Sequence, residues 1–140
     1  MVYPVQAPFQ NPYRRYREQS IQTASPGKLI IMLYDGLVSS LSQAGEAIRD
    51  GRIEEAHNKL IKSQDIILEL DASLNMEFEI SRHLHAVYDF LYRQAVKANV
   101  DKDFKIAESC LVMARELRDA WLQAANSQVG STLASSADAK

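Results

Sequence analysis

The chain has 140 residues, of which 46% are apolar and 24% are charged, and its formal net charge at pH 7 is −2. This length predicts one domain that buries a core without disulfides or a metal. The longest apolar run spans residues 29–34, far short of the roughly 20 residues that cross a bilayer, and the first 20 residues lack the apolar segment of a secretory signal. We therefore expect a cytoplasmic protein, and the slightly acidic balance argues against a nucleic-acid binder.

Helix-breaking residues are concentrated near the N-terminus. All prolines lie at or before Pro26, and more than a hundred residues follow without one. Such a stretch, rich in Ala, Leu, Glu, Lys and Arg, favours long helices. Ser25 and Pro26 predict the start of the first helix, because serine can cap free amide groups and proline fits the first helical position. The helix is predicted to end at Asp50-Gly51.

Four segments carry apolar residues at the spacing of a buried helical face. In chain order these residues are Ile30, Leu33, Leu37, Leu41, Ala44 and Ile48, then Ile53, Leu60, Ile67 and Leu74, then Ile80, Leu84, Val87, Leu91 and Ala95, then Phe104, Ala107, Leu111, Ala114, Leu117 and Trp121. The segments have similar lengths and short connections, so consecutive helices must reverse direction. The sequence predicts an all-α fold, an antiparallel up-down four-helix bundle over residues 25–125 with a short N-terminal capping helix or arm.

The two ends of the chain differ from the bundle in composition. Residues 1–24 are predicted to form the arm, and the first 28 residues carry four basic side chains against one glutamate, a charge of +3 that leaves −5 for the remainder. Tyr13, Tyr16 and Ile21 would lie along one side of a short helix, and we expect this capping arm to fold back onto the bundle. Residues 126–140 lack an apolar stripe and are predicted to form a disordered polar tail.

Catalytic chemistry finds little support in the sequence. Glu54 and His57 form one Glu-x-x-His pair, whereas Glu79 and His83 are four residues apart, so half of a di-metal bundle site is missing. His83 and His85 are two residues apart, which directs them to nearly opposite sides of a helix. Neither a nucleophile with an oriented base nor a glycine-rich phosphate loop is present. We therefore predict that the protein is not an enzyme and needs no cofactor.

The second and third helices carry more apolar residues than one core-facing stripe needs. Ile61 and Leu68 are seven residues apart, and Tyr88 and Tyr92 are four apart, so each pair lies on one side of its helix beside the core stripe. We predict that these four residues form a partner-binding groove, although they could instead widen the core or join two copies. Gly36, which costs about 1 kcal/mol within a helix, is interpreted as a point of close approach by the arm, a ligand or a neighbouring helix.

Three N-terminal motifs carry a family resemblance. They are Asn11-Pro12-Tyr13-x-x-Tyr16, Thr23-Ala24-Ser25-Pro26-Gly27-Lys28-Leu29 and Met32-Leu33-Tyr34-Asp35-Gly36. These motifs closely resemble the opening of the flagellar secretion chaperones known as FliS, and later segments such as Gln64-Asp65-Ile66-Ile67 and Glu116-Leu117-Arg118-Asp119-Ala120-Trp121 agree in kind.

The resemblance implies a non-enzymatic cytoplasmic chaperone. Such a protein binds the disordered C-terminal region of flagellin, prevents its premature polymerisation and delivers it to the flagellar type III export apparatus, with components of the export gate as further candidate partners. The residues themselves leave two alternatives open. One is a structural bundle that forms a homodimer through its second apolar stripe, and the other is a metal-binding bundle enzyme.

Overall fold

The computed structural model describes residues 26–125, which form four α-helices. Helix α1 spans Pro26–Arg49, α2 spans Ile53–Ala72, α3 spans Glu79–Asp101 and α4 spans Phe104–Ala124. The helices contain 24, 20, 23 and 21 residues, so the predicted similarity in length is confirmed. The predicted arm and tail, and with them Tyr13, Tyr16 and Ile21, lie outside the described residues.

Contacts between side chains of different helices show how the helices run. The pairs are His57 with Asn99 and Asp71 with His85 between α2 and α3, and Asp35 with Arg118 and Arg49 with Phe104 between α1 and α4. In both helix pairs the residue numbers rise along one helix as they fall along the other, so these neighbours are antiparallel. Helix α1 packs against α2 and α4, and α3 packs against the same two helices. The described residues therefore form a closed four-helix bundle.

The first two connections reverse the chain within a few residues. Gly51, between α1 and α2, has a φ of 75°, a left-handed conformation that glycine adopts without steric cost. Between α2 and α3, the side chain of Asn75 accepts a hydrogen bond from the backbone amide of Glu77 at 3.0 Å, which stabilises a local turn. Both turns bring the next helix back along the previous one.

The connection between α3 and α4 contains two residues. Lys102 has a left-handed φ of 49° and donates its backbone amide to Ala98 at the end of α3. Asp103 then caps α4, because its side chain accepts hydrogen bonds from the backbone amides of Lys105 and Ile106 at 2.9 and 3.3 Å. A C-terminal cap and an N-terminal cap in adjacent residues explain how this turn can be so short.

Side chains from all four helices form one core. Its fully buried aliphatic residues include Leu37 and Leu41 of α1, Leu60, Ile66, Ile67 and Leu70 of α2, and Leu91 of α3. Two residues predicted to lie in the core are at the surface instead: Ile53 is 50% exposed and Ile80 is 38% exposed. Both occupy the first turn of a helix, at an end of the bundle where fewer neighbouring side chains surround them.

A tyrosine pair crosses the core between α1 and α3. Tyr34 and Tyr88 are 1% and 3% exposed, and their hydroxyl oxygens are 2.5 Å apart. Burial raises the pKa of Tyr34 to about 12 and the pKa of Tyr88 well above its usual range. Both hydroxyls therefore stay protonated at neutral pH, and one donates a hydrogen bond to the other in a place that water does not reach.

Tyr88→Phe tests the contribution of this pair to stability. The substitution leaves the Tyr34 hydroxyl buried without its partner, so we expect the free energy of unfolding to fall by about 1–3 kcal/mol. The double variant Tyr34→Phe, Tyr88→Phe should lose less than the sum of the two single variants. Urea denaturation followed by circular dichroism measures all three values. Losses that add without coupling would show that the hydrogen bond contributes nothing of its own.

Candidate functional site

Helix α2 exposes two large apolar side chains on one face. Ile61 is 39% exposed and Leu68 is 50% exposed, while Ile66 and Ile67 between them are buried in the core. Asp65 shares this face by its helical spacing, and partial burial raises the pKa of its carboxyl group. We call Ile61, Asp65 and Leu68 the α2 stripe. The exposure of its two apolar members agrees with a second stripe outside the core, whereas their role in binding stays a prediction.

The α2 stripe lies along the seam between α2 and α3. At one end of this seam the Asn99 amide nitrogen lies 3.0 Å from Nδ1 of His57, and at the other end Nδ1 of His85 lies 2.6 Å from Oδ1 of Asp71. Ile61 follows His57 by one helical turn and Leu68 precedes Asp71 by one turn. The stripe is therefore bracketed by two polar contacts that hold the helices together.

Tyr92 of α3 belongs to the same seam. It is partly buried and packs against the core, and the antiparallel register of the two helices places it level with the middle of the α2 stripe. The register and the helical spacing therefore favour a position of Tyr92 on the same side of the bundle as Ile61 and Leu68.

The prediction that Tyr88 lies on this surface is wrong for the free chain. Tyr88 is 3% exposed, and its hydroxyl group is bonded to Tyr34 inside the core. A tyrosine at this position can be buried because the hydroxyl finds its partner on another helix, which the periodicity of a single helix does not show. A ligand on the seam of the free chain meets Tyr92 and not Tyr88.

Charge also distinguishes α2 from the other helices. It contains five acidic residues and two lysines, whereas acidic and basic residues are equal in number in each of α1, α3 and α4. The α2 stripe therefore places two apolar side chains on an acidic helix. Such a surface suits an amphipathic partner helix whose apolar face is flanked by basic or neutral side chains.

Sequence reasoning missed two acidic residues of this surface. Asp65 was detectable, because it follows Ile61 by four residues and precedes Leu68 by three, the spacing of one helical face. The pairing of Asp71 with His85 was not detectable in the same way, since it depends on how far α3 is shifted along α2.

The reactive side chains of the bundle are dispersed. Within residues 26–125 no group of three or more His, Cys, Asp or Glu side chains is arranged to hold a metal ion. His57 contacts Asn99 instead of completing a metal motif, and His83 lies 3.9 Å from Glu79 on its own helix. Cys110 is buried, and burial raises the pKa of its thiol to about 11, so it packs as a protonated, apolar side chain.

In the part of the chain that the structure describes, no helix combines the length and apolar character needed to cross a bilayer.

Gly36 lies half-buried within α1, and its role as a point of close approach stays a prediction. The same holds for the capping role of the arm.

The fold is a four-helix bundle, and in other proteins an apolar groove between two helices is a common site for an amphipathic segment. Comparison with known proteins identifies the family. A family model described as "Flagellar protein FliS" matches residues 9–128. The flagellar secretion chaperone FliS of Bacillus subtilis (strain 168) is 40% identical over 119 residues, which are 85% of this chain and 90% of that protein.

More distant relatives agree with this match. FliS of Vibrio cholerae is 32% identical over 108 residues, covering 76% of this chain and 79% of the relative. FliS of Escherichia coli (strain K12) is 31% identical over 107 residues, covering 74% and 79%. The chain belongs to the FliS family of flagellar secretion chaperones. The predictions of this family and of a chaperone that is not an enzyme are confirmed.

Alanine substitutions at Leu68 and Leu70 test whether the stripe lies outside the core. Leu70 is fully buried and Leu68 is 50% exposed, although the two are only two residues apart. We expect Leu70→Ala to lower the free energy of unfolding by about 2–5 kcal/mol and Leu68→Ala to lower it by less than about 1 kcal/mol. Urea denaturation measures both. Equal losses would place Leu68 in the core.

Proposed function

We propose that this protein is a cytoplasmic chaperone for flagellin. It binds the disordered C-terminal region of flagellin, keeps the subunits from polymerising early and delivers them to the flagellar type III export apparatus. Family membership over residues 9–128 is the observation that supports this proposal. Components of the export gate are a second proposed class of partner, on the same ground.

The α2–α3 seam is our proposed binding site for the flagellin segment. Ile61 and Leu68 stand two helical turns apart, which matches the apolar face of a partner helix. A flagellin segment that is disordered when free folds as it binds, and this ordering costs about 2–5 kcal/mol of the gross contact energy. A complex formed in this way stays reversible, as a chaperone that must release its client requires.

Burial at the seam alone is too small for tight binding. Ile61 is 39% exposed and Leu68 is 50% exposed, so covering them completely contributes roughly 2 kcal/mol. A micromolar complex needs about 8 kcal/mol. The flagellin segment must therefore contact further surface, and Ile53, which is 50% exposed on the same helix, extends the apolar row toward the start of α2.

Leu68→Asp tests the proposed site. A carboxylate forced into an apolar contact should weaken binding of a flagellin C-terminal peptide by several kcal/mol, as measured by isothermal titration calorimetry. Val112→Asp is the matched control, because Val112 is 47% exposed but lies on α4. It should leave the affinity unchanged.

The outcomes of this experiment separate the competing functions. Native helicity with undiminished affinity in Leu68→Asp would place the flagellin site elsewhere. If Leu68→Asp converts a dimer into a monomer in sedimentation and leaves peptide affinity unchanged, the stripe joins two copies of the chain. Loss of helicity would mean that Leu68 belongs to the core.

We further propose that the N-terminal arm covers apolar surface of the bundle until the ligand displaces it. Tyr13, Tyr16 and Ile21 are the residues assigned to this contact, and Gly36 is assigned to the close approach of the arm or the ligand. Deletion of residues 1–20 should raise the fluorescence of a hydrophobic dye, because apolar surface becomes accessible. Deletion of residues 126–140, which carry no apolar stripe, is the control and should not raise it. Unchanged dye fluorescence and unchanged stability in the first deletion would contradict a capping role.

A further inference from the structure

The contact between His85 and Asp71 joins α3 to the last turn of α2, beside the α2 stripe. The two polar atoms, Nδ1 and Oδ1, are 2.6 Å apart, and the side chains of His85 and Asp71 are 54% and 29% exposed. Asp71 follows Leu68 by three residues, so it is a neighbour of Leu68 on the surface of α2. Any segment that covers Leu68 therefore lies next to this ion pair.

The charges around His85 favour its protonated form. The hydrogen bond to Asp71 and then the negative charge of Asp71 raise the pKa of His85. Burial lowers it by less, and Asp89, one turn further along α3, adds the smallest contribution, which again raises it. The charge of Asp71 also makes the smallest of the contributions that raise the pKa of Tyr88. The pair therefore lies within electrostatic range of the tyrosine contact between α1 and α3.

We propose that His85 and Asp71 are positioning residues that form a proton-dependent clamp on the α2–α3 seam. When His85 is protonated, the ion pair holds the last turn of α2 against α3 and keeps Leu68 in place for its helical ligand. The regulation of ligand binding rests on the proposed function, whereas the clamp is a property of the free chain.

The direction of the effect follows from linkage. The folded state raises the pKa of His85, so the clamp contributes fully below the unfolded-state pKa of about 6.5 and is lost as pH rises through the higher folded-state value. A neutral imidazole keeps the hydrogen bond only in the tautomer with a proton on Nδ1, and it loses the charge attraction. Asp71 then lacks the positive charge of His85 beside it, and an uncompensated carboxylate is costly to cover with a ligand. Ligand affinity should therefore rise as pH falls, and bound ligand should in turn favour protonation of His85.

His83 supplies a matched control on the same helix. Its side chain is 71% exposed and lies 3.9 Å from Glu79 within α3, so its pairing does not involve α2. His83→Gln removes a surface histidine without touching the clamp, whereas His85→Gln removes the clamp. Asp71→Asn keeps the shape of the partner and removes its charge.

Two measurements test the clamp in the full chain. In histidine NMR titrations, Asp71→Asn should shift the pKa of His85 downward, whereas His83→Gln should leave the pKa of His85 unchanged. In calorimetry with a flagellin C-terminal peptide at about pH 6 and about pH 8, the unmodified chain and His83→Gln should bind several-fold more tightly at the lower pH. His85→Gln and Asp71→Asn should lose this difference in affinity. Titration of histidines in the peptide affects every variant equally, because the same peptide is used for all of them.

Each result decides a separate point. An unchanged His85 pKa in Asp71→Asn would overturn the clamp. If Asp71→Asn lowers the pKa of His85 but His85→Gln keeps the full pH dependence of peptide affinity, the clamp exists and its proposed influence on binding is overturned. If the unmodified chain binds the peptide at neither pH, the proposed flagellin function fails and the regulation fails with it, while the NMR titration still decides whether the clamp exists.

Discussion

The antiparallel contact between α2 and α3 determines which apolar side chains of α2 are exposed on the surface of this bundle. Each residue on a helix is rotated by about 100° from the last, so the rotation of α2 decides whether Leu68 faces solvent or the core. Burial of Leu60, Ile67 and Leu70 sets that rotation. The contacts of His57 and Asp71 with α3 then set the shift along the seam. The stripe is exposed because the core fixes the opposite face of the same helix.

Small side chains allow this arrangement. Ala44, Ala56, Ala95, Ala107 and Ala114 are all fully buried where the helices meet, and small residues let helices approach closely. A core made in this way needs only a narrow apolar stripe from each helix. The larger apolar residues at the edge of α2, Ile61 and Leu68, therefore lie partly outside this packing.

The sequence predicts the helices well because their signals are local. Pro26 marks the start of α1, Gly51 marks the turn after it and Asp103 caps α4, and the apolar periodicity between these points defines one buried face for each helix. The errors arise where burial depends on other helices. Ile53 is exposed because it lies in the first turn of α2, where the bundle ends.

Tyr88 illustrates a second limit. Its spacing along α3 places it beside the core, yet it is buried because Tyr34 on α1 bonds its hydroxyl group. The periodicity of one helix assigns faces but contains no information about partners on another helix. The α2 members of the candidate site were predictable for that reason, since their exposure depends mainly on the rotation of α2, while the tyrosine and the Asp71–His85 contact depend on the assembled bundle.

A chaperone must remain soluble before it binds its client, and this limits the size of the apolar patch that it can expose. One large apolar patch invites aggregation. In the described part of the chain the large exposed apolar residues of α2 are distributed along the helix, at Ile53, Ile61 and Leu68. Each contributes only a fraction of the roughly 1.5–3 kcal/mol of a fully buried side chain. If flagellin binds at the proposed seam, its affinity has to come from a long segment that contacts several separate points, because no single exposed side chain of α2 buries enough apolar surface by itself.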